Sequence, residues 1–285
     1  MKKYILGLNS IGFNTSASLI CENKIIAAVE EERLSREKRT RKFPVQAIKF
    51  CLDKQNIKLE DLDSIAISWN PIINLESFDT NSSRNPSYFP NILHTTINNI
   101  MREIKNIKKD FFVQNLTLES GKNIKIFFVN HHLSHASCFF ASNFKEASIL
   151  TVDAFGEHQC VGFYSGKRNG IDKIFEQNFP HSLGSFYSTF TEFCGFKPKS
   201  EEWKLMGASA YGKNSPYQKK IDSLIKFEKN GKFFLDLKYF NHYMFHRPGY
   251  VTENLENFLG LKKNKLNNNL NKEYFDIAFA VQKTF

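Results

Sequence analysis

A strand that runs into a polar, glycine-containing loop and returns as a hairpin occurs twice in these 285 residues. That repeat constrains the fold more than any other feature of the chain. In the first copy an apolar strand at 4–8 enters the loop 9–16, and strands at 17–21 and Lys24–Glu30 follow across the tight Glu22-Asn23 turn. In the second copy a strand at 147–152 enters the loop 153–159, followed by strands at 160–165 and 173–177. A helix is predicted after each group. One opens near Pro44, a favoured first helical position, with Val45, Ile48, Phe50, Cys51 and Leu52 as its apolar face; the other covers 185–194. Two β-β-β-α units predict a duplicated α/β chain, with subdomains at 1–122 and 123–285. A pair of three-strand groups also suits an unrelated α+β protein.

Between and after the repeats the pattern predicts strands at 64–69 and 124–129 and helices at 92–109 and 132–142. A last helix carries Tyr274, Ile277, Ala278 and Val281. No apolar run reaches the ~18 residues of a membrane span. Gly7, Asn9, Ser10, Gly12 and Asn14 interrupt the start before it can form a signal-peptide core, so a cytoplasmic protein without a membrane partner is expected. The five cysteines, at 21, 51, 138, 160 and 194, are isolated and form no C-x-x-C pair. They read as packed, reduced thiols rather than a zinc ribbon or redox motif. Lys+Arg number 39 and Asp+Glu 29, a net charge of +10. Part of the excess lies in Arg33, Arg36, Lys38, Arg39, Arg41 and Lys42, with Glu37 the one acid among them. Such a run is either a solvated face or an attraction for phosphate-bearing small molecules or nucleic acid.

Chemistry concentrates in three places. Asn130-His131-His132-Leu133-Ser134-His135 reads as a helix start capped by Asn130, which puts His131 and His135 at i and i+4 on one face. Two imidazoles so placed can converge on a metal ion, or simply hydrogen-bond at a helix start. Asp153, at the end of an apolar strand, is a candidate third ligand or an ordinary strand-end turn residue. Asp153-Ala154-Phe155-Gly156-Glu157 joins two carboxylates to a glycine in a strand-to-strand loop, as metal-phosphate binding needs and as a plain hairpin also allows. In the third place, Phe186, Phe190 and Phe193 read as core. Lys204, near Gly207, is either a surface lysine with its stem packed or a cation aimed at a phosphate.

Taken together these segments resemble the N-terminal domain of the O-carbamoyltransferases of nodulation-factor and antibiotic biosynthesis. The likeness runs through Gly7-Leu8-Asn9, Thr15-Ser16-Ala17, Glu30-Glu31-Glu32-Arg33, Phe43-Pro44 and His131-His132-Leu133-Ser134-His135-Ala136. It continues through Val152-Asp153, Gly156-Glu157, Ser182-Leu183-Gly184, Gly195-Phe196, Lys204-Leu205-Met206-Gly207 and Tyr211-Gly212. The resemblance implies a duplicated ribonuclease-H-like, actin-like ATPase fold, incomplete at Phe285, with a YrdC-like C-terminal domain absent from this chain and supplied in cis or in trans. It implies a divalent metal, commonly Fe²⁺ with Zn²⁺ or Mn²⁺ as alternatives, on His131, His135 and Asp153. It implies nucleotide and phosphate contacts by Asn14, Thr15, Ser16, Gly156, Glu157, Lys204 and Gly207. The implied reaction uses carbamoyl phosphate and ATP to make a carbamoyl-adenylate, then carbamoylates a hydroxyl of a sugar or secondary metabolite, with no nucleic acid expected as partner. A tRNA threonylcarbamoyl-modifying relative and a non-catalytic nucleotide- or partner-binding domain are the alternatives. The family's usual His-Asp in the first loop is Phe13-Asn14 here. Phe13 cannot move a proton, which leaves His132 as the candidate base nearest in sequence.

Overall fold

Glu22 and Asn23 both have positive φ, 51° and 64°. A two-residue hairpin turn that matches the twist of its strands needs that backbone. It joins β2 (Ser16–Cys21) to β3 (Lys24–Glu30), and β2 pairs back onto β1 (Tyr4–Asn9), all antiparallel. The computed structural model describes residues 2–70, 111–243, 249–266 and 269–285; the helix expected at 92–109 lies outside them. The described residues fall into two units, one of 2–70 and 111–142 and one from Asn143 onward.

In the first unit β4 (Ser64–Ile67) lies parallel to β1, and β6 (Asn123–Val129) parallel to β4. An edge strand absent from the sequence-based expectation, β5 (Phe111–Thr117), pairs antiparallel with β6. The order is β3-β2-β1-β4-β6-β5, a mixed sheet. Because β6 belongs to this sheet, the unit extends to Ser142 rather than ending at 122. Strand alternation fixes its inner face: Leu6 and Leu8 of β1 and Ala17, Leu19 and Cys21 of β2 are buried. After α1 (Glu31–Ser35), helix α2 (Val45–Asp53) packs on that face through Ala47, Cys51 and Leu52. Two expectations are corrected here. Val45 is exposed, and Pro44 stands at the N-cap position just before the helix. Proline offers no capping acceptor, and the buried Glu31 carboxylate supplies one, accepting from the amides of Gln46 and Ala47 at 3.3 and 2.8 Å.

The second unit repeats the meander with β7 (Glu146–Val152), β8 (Gln159–Lys167) and β9 (Gly170–Asn178). Helix α4 (Leu183–Phe193) follows and buries Phe186, Phe190 and Phe193 completely. They share a core with Leu205 of α5 (Glu202–Ser209), Ile221 of α6 (Tyr217–Asp222) and Leu255 of α7 (Glu253–Leu259). The last helix, α8 (Lys272–Thr284), adds the expected Tyr274, Ile277, Ala278 and Val281. A two-stranded ribbon, β10 (Ile225–Phe227) with β11 (Phe233–Leu235), completes the described elements. The chain is thus mixed α/β.

All five cysteines are free, and four are buried as expected; Cys138 is exposed. Burial pushes the Cys160 thiol up to about 12, so it stays protonated and inert. Among the described residues no helix is long and apolar enough to cross a membrane.

Candidate functional site

β6 ends at Val129 and the chain turns directly into α3 (His131–Ala136), which continues as a 3₁₀ turn over Ser137–Ala141. The expected helix at 132–142 is therefore a short α-helix with a tightened end. The buried Asn130 caps it, its side-chain oxygen accepting from the Leu133 amide at 3.0 Å. One helical turn apart, His131 and His135 bring their Nε2 atoms to 3.1 Å, with the rings edge to face. His131 Nδ1 lies 3.4 Å from the Ser68 carbonyl at the end of β4. A carbonyl only accepts, so that contact places the proton on Nδ1 and leaves the Nε2 lone pair of His131 facing His135. Either His135 donates to it or both lone pairs face one cation. Nitrogens bound at ~2.0–2.1 Å in adjacent positions around a first-row metal stand roughly 3 Å apart, so the spacing of the pair matches that of two ligands to one ion. His132, between them in sequence, is fully buried. Its ring is closed to solvent, which suits packing and not proton transfer to a diffusing acceptor.

Asp153 follows β7 in the second unit, half-buried, with Oδ1 accepting from the Ala154 amide at 2.7 Å. It thus makes the local turn bond that the sequence allowed. The loop closes through the Gly156 amide donating to Gln159 O at 2.5 Å, and the Glu157 side chain is buried. The start of α4 is built onto this loop. Ser182 Oγ lies 2.6 Å from Ala154 O and accepts from the Ser185 amide at 3.1 Å. A Cβ on Gly184 would stand 2.6 Å from Ala154 N, so only glycine permits the approach. Ser182-Leu183-Gly184 therefore holds the loop in place. Lys204 pairs with Glu201 at 2.6 Å, and Gly207 is exposed with open space where a Cβ would be.

In the first unit, Asn14 has φ 58°, its carbonyl accepts from Asn9 Nδ2 at 3.2 Å, and its own Nδ2 reaches Glu30 at 3.5 Å. Thr15 is buried, and its hydroxyl donates to Lys42 O at 2.7 Å. Ser16, with Asn9, Ser18, Ser68 and Ser134, lines an open cavity of about 670 Å³ on one face of the sheet, within the size range of small-ligand pockets. The exposed Phe13 ring lies under two guanidiniums, with Arg39 Cζ at 4.4 Å and Arg41 Cζ at 3.7 Å from its centroid. Sequence reasoning missed this stack, and it missed Ser68 and Glu31 as well. No strand alternation marks Glu31, because it opens α1 one residue after β3 has ended.

The family model described as the carbamoyltransferase N-terminus matches residues 4–284. The chain belongs to that family. The match takes in both units and every candidate residue named above. An uncharacterized protein of Synechocystis, sll1178, is 31% identical over 98% of this chain. The nodulation protein NolNO of Sinorhizobium fredii is 29% identical over 78% of it, and MJ1051 of Methanocaldococcus jannaschii 28% identical over 73%. The aligned parts make up 46%, 31% and 33% of those three proteins, so the chain spans less than half of the relatives it matches. The family that this model describes is one of transferases.

Proposed function

We propose that this chain supplies the metal- and nucleotide-binding part of an enzyme that carbamoylates a hydroxyl group, using carbamoyl phosphate and ATP by way of a carbamoyl-adenylate. The carbamoyltransferase match across residues 4–284 carries this reading. The two strand-loop-strand meanders are consistent with a duplicated actin-like ATPase fold. In that reading the loops at 9–16 and 153–159 contact the phosphates. Asn14 and Ser16 border the first, Gly156 and Glu157 the second, and Lys204 supplies a cation once released from Glu201. His131, His135 and Asp153 would hold a divalent ion, with Fe²⁺ favoured and Zn²⁺ or Mn²⁺ also suited to imidazole and carboxylate. Such an ion neutralises charge on the phosphates.

In the transfer step the acceptor oxygen forms a bond to the carbamoyl carbon. The bond from that carbon to the adenylate oxygen breaks, the electron pair leaves with AMP, and the acceptor proton is lost to a base. Phe13 cannot be that base and His132 is sealed off. Placing histidine at position 13 with Asp at 14 should therefore raise the transfer rate of a full-length enzyme, within the ~10²–10⁴-fold range of general-base catalysis.

The metal assignment is tested without turnover. Protein purified without chelator is analysed for Fe, Zn and Mn as wild type, His131→Ala and Asp153→Asn. Wild type should retain metal and both variants should lose most of it. Equal content in all three would remove His131 and Asp153 as ligands and favour a non-catalytic binding domain.

A further inference from the structure

Side chains cross one face of the first unit's sheet in rows, and the rows change from polar to apolar along the strands. The register sets them. Asn9 of β1 pairs with Ser16 of β2, and Ser16 with Glu30 of β3. Two residues further into the sheet, Gly7 pairs with Ser18 and with Ala66 of β4, and Ser18 with Ala28. Beyond these, Ile5 pairs with Ile20. Residues two apart on a strand share a face, so a polar row, a row of small residues and an apolar pair lie side by side. All of them line the cavity of about 670 Å³. The small row keeps it open: a Cβ on Gly7 would stand 2.7 Å from Ser18 Oγ, so even alanine would crowd that hydroxyl. Ser68, just past β4, and Ser134 of α3 also line it. The hydroxyls of Ser16, Ser18, Ser68 and Ser134 have no hydrogen-bond partner among the described residues. No Lys, Arg or His is among the described residues that line the cavity, and Glu30 is their one carboxylate.

We propose that this cavity binds an uncharged hydroxyl compound with an apolar tail, its hydroxyls at the end of Asn9 and Ser16 and its tail over Ile5 and Ile20. Four serine hydroxyls, each able to donate and accept, match the mixed donors and acceptors of a sugar or polyol. A phosphate or carboxylate would enter without a cation to pair with and beside Glu30, which costs binding. The tail gains about fourfold in affinity for each CH₂ it buries. The compound's role rests on the proposed function, under which it is the hydroxyl acceptor. Asn9 and Ser16 bound the loop assigned there to the phosphates. Ser134 lies between His131 and His135 on α3, and the Ser68 carbonyl lies 3.4 Å from His131 Nδ1. The polar end of the cavity therefore adjoins both the phosphate loop and the histidine pair.

The test titrates the 285-residue chain with methyl β-glucoside, butyl β-glucoside and butyl β-glucoside 6-phosphate, read by ligand-observed NMR. Cys138 marks the place of binding. It lines the cavity and is the one exposed cysteine, so iodoacetamide labels it and a ligand in the cavity slows the labelling. Butyl glucoside should bind ~10–60-fold tighter than methyl glucoside, protect Cys138, and bind at least ~10-fold tighter than its 6-phosphate. Ser18→Ala and Ser68→Ala should each weaken it ~2–10-fold, with circular dichroism unchanged. No binding of either neutral glucoside, binding that leaves Cys138 labelling unchanged, or equal binding of the phosphate overturns the proposal. So does a Cys138 already shielded, without ligand, in a polypeptide extended to the length of its relatives, since another segment then covers the face. The extended protein also separates the cavity from the proposed function. Carbamoyl transfer to an acceptor that leaves Cys138 unprotected keeps that function and overturns the acceptor site. Protection of Cys138 by a glucoside, with no transfer to any hydroxyl, keeps the cavity and overturns that function.

Discussion

Glu31 shows how one side chain can be fixed by geometry rather than by charge. It sits between Glu30 and Glu32, yet it alone is turned inward, where its carboxylate meets the amides of Gln46 and Ala47. Removing it strips the first turn of α2 of its acceptor and leaves the buried Ala47 amide unanswered. Glu31→Ala should therefore lower unfolding stability by ~1–3 kcal/mol in urea titration, while Glu31→Gln keeps an acceptor oxygen and loses less. Equal losses in the two variants would mean that the charge, or both carboxylate oxygens together, is what the helix start needs, and that neither volume nor a single acceptor suffices. The histidine pair at 131 and 135 was legible from sequence because i,i+4 spacing is local geometry. The Phe13 stack was not, because it depends on a bond from Thr15 to Lys42, 27 residues away.

At the scale of elements, β9 owes its one strong ion-pair group to an irregularity. Residues i and i+3 of a plain strand face opposite sides, yet Lys173 Nζ lies 2.8 Å from Glu176. The β8–β9 register explains it: Phe163 pairs with Phe175 and Tyr164 with Lys173, so Ile174 is an extra residue that returns the two charges to one face. Hydrogen bonds from His158, then from Lys173, hold the Glu176 carboxyl down to about 2 from its ordinary 4.5, against desolvation. A depressed folded value means the ionised form is favoured in the fold. Its stabilisation is complete above pH 4.5 and fades as pH falls towards 2. Glu176→Gln should thus be less stable than wild type at pH 6, and the gap should shrink below pH 4.5 and close only once the pH has fallen through about 2; a gap independent of pH would assign the loss to packing. The strand itself was visible in the sequence, whereas its bulge was not. For the same kind of reason α5 escaped notice: Leu205 and Ala208 are its only buried residues, too few for a helical stripe. The stripe of α8 was plain because four of its residues recur at helical spacing.

For the molecule as a whole, length bears directly on activity. The chain corresponds to 46% of sll1178 and 31% of NolNO, so whatever the remainder of such proteins supplies is not contributed by these 285 residues. The proposed reaction has two demands, formation of an activated carbamoyl group and its transfer. The residues proposed here would hold metal and phosphates, and none is an evident nucleophile for the first demand. The isolated chain should therefore release no pyrophosphate from ATP in the presence of carbamoyl phosphate and should carbamoylate no acceptor, while still binding metal through His131. A polypeptide extended to the length of its relatives should do both, with transfer abolished by His131→Ala and Asp153→Asn. Pyrophosphate release by the 285 residues alone would show that activation resides in one of these two units and would move the search for its residues back into the loops at 9–16 and 153–159. Binding without transfer in the extended protein, with every hydroxyl compound tried, would instead favour the binding-domain reading, since a loop with Phe13 in place of a base can bind a ligand without moving a proton.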